Sequence, residues 1–269
     1  MSYWHSRVAL VTGGSAGLGL AVARQFAAAG AKVAIVGRDA AKLENAANAL
    51  RSSNAEVEPI VADITHQADV DTLLSKTIAR FGRLDVLVNS AGKSSRGTAL
   101  ATTPEQFQQL WELNFLATVR CTQAAAPHLL AAHGHLVNIG SLAAKAAAKH
   151  LGAYPASKFP VAAYSQQLRL ELGPQGLHVL LVCPGPIQRA DAGERYAAES
   201  ANLPEAARQP GGGVRLQGID PDTLAARILR ACERRQAELV VPGKSRLLFA
   251  IAQLWPNLGD WILNRMTRG

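Results

Sequence analysis

The chain has little cysteine, few aromatic residues and no long apolar run, and each shortage narrows what it does. Its three cysteines, Cys121, Cys183 and Cys232, are far apart and lack a CxxC pair. That argues against a disulfide framework or a zinc site, so a reducing compartment and no metal are expected. No apolar stretch approaches the roughly 20 residues needed to cross a bilayer. No basic-then-apolar leader precedes the first strand-like run at Val8, so a cytoplasmic protein is expected. Charged residues are only 18% of the 269 and form no block of one sign, while 48% are hydrophobic, the balance of an ordered globular protein. The net charge of +8 leans toward the C-terminus, where eight basic residues from Arg227 onward face three acidic ones. Such an excess suits an anionic ligand or surface. It carries no nucleic-acid motif, so no nucleic-acid partner is expected.

What is present is an alternation. Short β-branched runs at 8–12, 33–36, 57–61, 86–89, 135–139 and 179–183 are separated by alanine-rich helical stretches at 17–29, 40–52, 67–81, 104–131 and 154–173. Continuous apolar runs of this length read as parallel strands buried on both faces, and the rhythm is that of a doubly wound α/β sheet. A helix over 221–235 and a short strand at 239–241 close it. Residues 186–218, with Pro204, Pro210 and Gly211, Gly212, Gly213, form a long irregular segment expected to serve as a substrate lid. The domain reading is therefore a catalytic body over 1–243 and an apolar, basic tail over 244–269.

The first strand runs into Thr-Gly-Gly-Ser-Ala-Gly-Leu-Gly, residues 12–19, and then into a helix, the context a dinucleotide fingerprint requires. Gly13, Gly17 and Gly19 permit a tight turn, close backbone approach to a pyrophosphate and helix packing, while amides at the helix start face the anion. The second strand ends Ile-Val-Gly-Arg-Asp. Gly37 puts no acid where a 2′-phosphate would be repelled, and Arg38 follows it, which favours NADP(H) over NAD(H). Tyr154 and Lys158 are four apart, on one helix face, so both side chains address one ligand. A nearby ammonium is expected to lower the phenol from its reference value, about 4 kcal/mol of electrostatic work for a shift of about 3 units.

The glycine spacing G-x-x-x-G-x-G, Asp63 after strand three, Asn-Ser-Ala-Gly at 89–92, Asn114, Ser141, Tyr-Pro-Ala-Ser-Lys at 154–158 and Pro-Gly-Pro-Ile at 184–187 together resemble the short-chain dehydrogenase/reductase family over about residues 7–242. The resemblance implies a single doubly wound Rossmann-type domain with a seven-stranded parallel sheet. It implies interconversion of a ketone or aldehyde and an alcohol. Tyr154 is implied as acid/base, Ser141 on the carbonyl oxygen, Lys158 on the nicotinamide ribose and Asn114 in a water-linked proton relay. Cofactor contacts are implied for Gly13, Ser15, Gly17, Leu18, Gly19, Arg38, Asp63, Ile64, Asn89, Ala91, Gly92, Tyr154, Lys158, Pro184, Gly185 and Ile187.

Two positions depart from the pattern. Arg189 stands where the family often has a threonine contacting the carboxamide, and Pro160 falls inside the catalytic helix, where it is expected to kink the chain just past Lys158. The family further implies a homodimer or homotetramer through the helices at 104–131 and 154–173. His133 and His135 read as solvated loop residues without a third metal ligand; Trp111, Phe115 and Tyr164 read as packing residues. The tail holds two short amphipathic pieces split by Pro256 and flanked by Lys244, Arg246, Arg265 and Arg268. It packs against the cleft or a partner subunit, or lies in a membrane interface. Lipid-ketone reductases that the chain resembles, such as 3-ketodihydrosphingosine reductases, make an apolar carbonyl compound the expected substrate. A regulatory NADP(H)-binding or membrane-associated protein without turnover is the competing reading.

Overall fold

A computed structural model of the chain describes residues 2–52, 55–189, 196–197, 199–209, 211–214 and 216–267. Seven parallel strands form one sheet: β1 (Val8–Thr12), β2 (Lys32–Gly37), β3 (Val57–Val61), β4 (Val86–Asn89), β5 (His135–Ile139), β6 (His178–Pro184) and β7 (Glu238–Val241). Their order is β3-β2-β1-β4-β5-β6-β7. The direction of winding reverses between β1 and β4, and open α/β sheets bind ligands beyond the strand C-terminal ends at such a point.

The apolar runs are continuous because both faces are covered. Ala9 and Val11, Val33 and Ile35, Val86 and Val88 pack on one side against α1 (Gly17–Ala28), α2 (Ala40–Arg51) and α8 (Pro221–Glu233). Val8 and Leu10, Ala34 and Val36, and Leu87 point to the other side, against α3 (Gln67–Phe81), α5 (Ala117–Ala131) and α6 (Tyr154–Leu172). Each such side chain contributes about 1.5–3 kcal/mol by leaving water. Pro59 is tolerated in β3 because that strand is the sheet edge.

The stretch expected as one helix over 104–131 is instead α4 (Pro104–Trp111), a π-helical turn over Glu112–Leu116, and α5. The extra residue of a π turn re-aims one side chain, and here Asn114 sits in its middle, buried. Pro160 does not end α6, which continues to Leu172. The carbonyl left without its usual donor belongs to Ala156, an exposed residue. Among its described residues the irregular segment forms one short helix, α7 (Glu205–Arg208), and part of it, including Pro210, lies outside the described residues. The C-terminus forms α9 (Ser245–Leu254) and α10 (Pro256–Met266). No described helix is long and apolar enough to cross a membrane.

His135 departs from its reading as a solvated loop residue. It lies in β5, wholly buried, whereas His133 is exposed in the turn before that strand, as expected, with its ring over Gly176. The His178 Nε2 donates to the Gln236 carbonyl (2.8 Å), so its Nδ1 accepts from His135 Nδ1 (2.9 Å), and His135 Nε2 accepts from the Tyr3 hydroxyl (2.8 Å). Cys232 stands beside the pair, with all three ligand-type atoms within 4.8 Å of one another. This chain of hydrogen bonds accounts for both imidazoles in their neutral forms.

Burial, with His178, Arg235 and Arg7 adding to it, pushes His135 down to about 3, and burial also lowers His178. Unfolded imidazoles take up protons below about 6.5, whereas the folded ones stay neutral, so stability is full above that value and is lost as the pH falls toward 3. The loss per histidine is about 1.4 kcal/mol per pH unit, hence about 2 kcal/mol between pH 6.5 and 5. We expect the thermal midpoint to drop by about 4 °C or more between pH 7 and pH 5. A midpoint that holds steady over that interval contradicts the neutral pair.

Candidate active site

The cavity begins at the turn between β1 and α1. Gly13 (φ +67°) lies so near the end of β4 that an added Cβ would stand 2.9 Å from the Ala91 Cα, and a Cβ on Gly19 would stand 2.2 Å from the Gly13 carbonyl oxygen. Thr12 locks this approach: its hydroxyl oxygen accepts from the amides of Ser90 (3.0 Å) and Ala91 (3.2 Å) and donates to the Val88 carbonyl (3.3 Å). Helix α1 starts at Ala16 without a side-chain cap and without an acid in its first turn. Its orphan amides and positive end are thus left for an anion, so the turn fits the phosphates of a dinucleotide.

Of the expected cofactor residues, Gly13, Ser15, Leu18, Gly19, Arg38, Ala91, Gly92, Pro184, Gly185 and Ile187 border one cavity of ≈ 750 Å³, together with Ser141, Tyr154 and Lys158. Gly17, Asp63, Ile64 and Asn89 do not border it. Ile64 is buried in the core. The Asn89 amide turns into the sheet, donating to Asn138 Oδ1 (2.9 Å) and Thr122 Oγ1 (3.1 Å). Asp63 lies 3.6 Å from the largely exposed Arg38 guanidinium. Burial would raise its carboxyl, but hydrogen bonds from Thr65 and the Arg38 charge outweigh that and hold it below the usual range.

At the other end, α6 carries Tyr154 and Lys158 one turn apart. Lys158 is buried and its Nζ donates to the Ile139 carbonyl at 2.8 Å. One neutral acceptor does not replace water around an ammonium, and burial pulls its pKa down to about 8. The phenol moves opposite to expectation: burial pushes Tyr154 up to about 12, with the Ser141 hydroxyl bond opposing the rise. Ser141 caps a short 3₁₀ turn over Leu142–Ala144, accepting from the Ala143 amide at 3.1 Å, and its O–H remains a donor. Asn114 lies just behind the cavity. Its Oδ1 accepts from the Lys93 amide (2.9 Å), and its Nδ2 donates to the Lys93 carbonyl (2.8 Å) and to Ser157 Oγ (2.8 Å), which bonds the Tyr154 carbonyl (2.8 Å). Asn114 therefore ties the loop after β4 to the first turn of the tyrosine helix.

Several site residues carried no signal in the sequence. Arg96 is buried, with its guanidinium on the carbonyls of Ala207 (2.7 Å) and Gln209 (3.2 Å) and 3.9 Å over the Tyr196 ring. It thereby staples the described part of the 186–218 segment over the cleft beside Tyr154, and burial lowers its pKa. Ser157 and Thr12 sat inside recognisable motifs without a role of their own. Beyond Tyr154 the walls turn apolar: Leu142, Leu151, Val214 and Leu216 come from the body, and Leu248, Phe249, Leu263 and Met266 from α9 and α10. Phe249 packs on Val161, Leu181, Cys183 and Val240, so the tail closes the cleft of its own chain.

A tyrosine, a buried lysine and a serine hydroxyl thus border one end of a cavity whose glycine turn fits phosphates. Residues 7–200 match the family model of the short chain dehydrogenases. The chain belongs to this family. It is therefore an oxidoreductase working between CH–OH and C=O groups with a nicotinamide cofactor. An uncharacterised oxidoreductase of Staphylococcus epidermidis is 32% identical over 74% of this chain and 88% of its own length. A dehydrogenase/reductase SDR family protein 7-like protein of Anopheles gambiae is 30% identical over 97% of this chain and 83% of its own. Among solved structures, the L-sorbose reductase of Gluconobacter frateurii, complexed with NADPH and L-sorbose, has a TM-score of 0.76 at 25% identity, covering 88% of this chain and 95% of that one.

The glycine turn yields a direct test. Gly19→Ala is expected to weaken nicotinamide-nucleotide binding by tenfold or more, because the 2.2 Å overlap is with backbone that cannot swing away. Gly173→Ala, where nothing lies within 4 Å and no positive φ is needed, is the neutral control. Titration of both variants with the nucleotide measures the difference; equal affinities would show that the turn does not carry the ligand.

Proposed function

We propose that the protein is an NADP(H)-dependent reductase of an apolar ketone or aldehyde, with Tyr154 as the proton donor. The observation that carries this reading is the continuity of one cavity from Arg38, through the glycine turn, to Tyr154, Ser141 and Lys158, and on to an apolar end. A bound nicotinamide supplies the hydride at carbon. The Tyr154 hydroxyl delivers its proton to the carbonyl oxygen, and Ser141 Oγ hydrogen-bonds the same oxygen. A phenol held up near 12 stays protonated at neutral pH, which suits reduction. Lys158 holds the nicotinamide ribose and supplies positive charge next to the donor. Asn114 keeps the lysine loop and the tyrosine turn in register and supports the proton path.

Arg38 beside Gly37 supports NADP(H): its exposed guanidinium meets Asp63 at 3.6 Å, a pair that a phosphate dianion outcompetes. The L-sorbose reductase complexed with NADPH is in keeping with this choice, though a sugar is not what the apolar walls here would select. The tail is the second part of the reading. Its inner side faces the cleft, while Leu247, Leu254, Trp255, Leu258 and Trp261 are exposed on the outside, near Lys244, Arg246 and Arg265. Aromatic and aliphatic residues with basic flanks suit the interface of an anionic membrane, which would bring a lipid-like carbonyl compound to the entrance. The body over 1–243 and the tail over 244–269 are thus one catalytic unit with an appended entrance. Exposed Trp111, Phe159 and Leu170 on α4 and α6 support pairing with a second copy through those helices.

With NADPH and a panel of long-chain ketones, Tyr154→Phe is expected to bind cofactor normally and to lose at least about 100-fold in turnover. The wild-type rate is expected to fall above about pH 8 as Lys158 loses its proton. Near-normal turnover by the phenylalanine variant removes the tyrosine from the mechanism.

Truncation after Gly243 is expected to abolish co-sedimentation with anionic vesicles and to flatten the preference for long ketones over short ones. If the truncated protein stays folded and neither measurement changes, the tail has no part in membrane or substrate binding.

A further inference from the structure

At the amino end of the sheet, opposite the cofactor cleft, three side chains able to ligate a metal converge in the core from three elements. His135 opens β5 and His178 opens β6, and they are partners in the parallel register, so neighbouring strands put both imidazoles on one face. That face is the one α8 covers: Val137 and Ile139, and Leu180 and Val182, which follow the histidines at the strand period, pack in one cluster with the α8 side chains. Cys232 comes down from the last turn of α8, on the buried stripe that Ala225, Ile228 and Leu229 begin. All three residues are buried, and one nitrogen of each histidine lies with the Cys232 sulfur inside 4.8 Å. The outer nitrogens are engaged, His178 Nε2 by the Gln236 carbonyl and His135 Nε2 by the Tyr3 hydroxyl, so the two Nδ1 atoms face each other at 2.9 Å. The third ligand that the spacing of His133 and His135 does not supply thus comes from across the fold.

An oxygen on the far nitrogen of each imidazole is the arrangement that orients metal-ligating histidines. With a thiol as third donor, the set suits a thiophilic ion in preference to a hard one. We infer that His135 Nδ1, His178 Nδ1 and Cys232 Sγ form a site for Zn²⁺ that ties β5, β6 and α8 together beneath the N-terminal segment. Donors about 2.0–2.3 Å from a tetrahedral zinc stand about 3.3–3.6 Å from one another, so the nitrogens part slightly, the sulfur draws in and water takes the fourth position. The proton on His135 Nδ1 gives way to the metal and its place is taken by one on Nε2, where the Tyr3 hydroxyl turns from donor to acceptor. The Cys232 thiol proton leaves to solvent, so binding releases one proton per ion and changes no oxidation state. The way in lies under the N-terminal segment: Tyr3 and Trp4 rest against the His135 ring at centroid distances of 5.8 and 5.3 Å, and Tyr3 is 41% exposed.

The test uses the full, untagged chain, stripped of metal and titrated in competition with a chromophoric chelator. It is expected to bind one Zn²⁺ with release of one proton, and Mg²⁺ at least about 100-fold more weakly. Zn²⁺ at about 100 times its Kd is expected to raise the thermal midpoint by about 5 °C or more. Co²⁺ in its place is expected to give a thiolate-to-metal charge-transfer band that Cys121→Ala keeps and Cys232→Ala loses. Cys232→Ala is expected to weaken Zn²⁺ by more than about 100-fold, and Tyr3→Phe, which removes only the oxygen behind His135, by about tenfold. Tyr3 is partly exposed, so its variant serves as the test should the core substitution fail to fold. The inference is overturned if the folded chain does not take up Zn²⁺, if the Co²⁺ complex lacks the charge-transfer band, or if Zn²⁺ affinity is unaltered in whichever variant folds. The three side chains are then core packing joined by hydrogen bonds.

Discussion

The site depends on one steric constraint, the close approach of the β1–α1 turn to the end of β4. Gly13 and Gly19 have no Cβ where backbone atoms of Ala91 and Gly13 already stand at 2.9 and 2.2 Å. Two strands at the reversal of the sheet can end side by side only because of this, and the Thr12 hydroxyl then locks the second strand to the first. Everything that faces the cofactor cleft follows from it. The bare start of α1 is aimed into the cavity, Gly92 comes against the Asn114 amide, and the loop beyond Gly92 is carried to the foot of α6.

Burial governs the electrostatics at the other end. Lys158 and Tyr154 lie within the protein, and both are displaced toward their neutral forms, the amine to about 8 and the phenol to about 12. A phenol held protonated beside a lysine is what the donor role proposed for Tyr154 requires. The cost of holding Lys158 there is lessened by the Ile139 carbonyl, and the cost of burying Arg96 by the carbonyls of Ser95, Ala207 and Gln209. Arg96 thus directs two of its hydrogen bonds to the segment that roofs the cleft, so this buried cation is an organiser of the cover.

The tail extends the same logic of double-sided use. Gly259 allows α10 to close on Ala252 of α9, and the resulting hairpin presents Leu248, Phe249, Leu263 and Met266 to the cleft. Its outward side keeps two exposed tryptophans, Trp255 and Trp261, the latter under the Arg265 guanidinium at 5.2 Å. A body of ordinary family architecture therefore has one end of its cavity walled by its own last residues.

What the sequence determined by itself is what short-range physics governs. Apolar runs of four to seven residues became strands buried on both faces, glycines at positions 13, 17 and 19 became the turn, and Tyr154 and Lys158 fell on one side of one helix. These depend on chain sterics and on spacing within a few residues, which are written locally. Only the tertiary structure decided the rest. It turned Asn89 into the sheet toward Thr122 and Asn138, joined His135 to His178 and Tyr3, brought Arg96 to Ala207 and laid Arg189 over Gly17. Each of those pairings spans more than thirty residues. Which partner a polar side chain finds at that distance is set by how the layers close, and no local pattern records it. The sign of the Tyr154 shift has the same origin: the spacing to Lys158 suggested a lowered phenol, but the depth at which the folded chain buries it raised it.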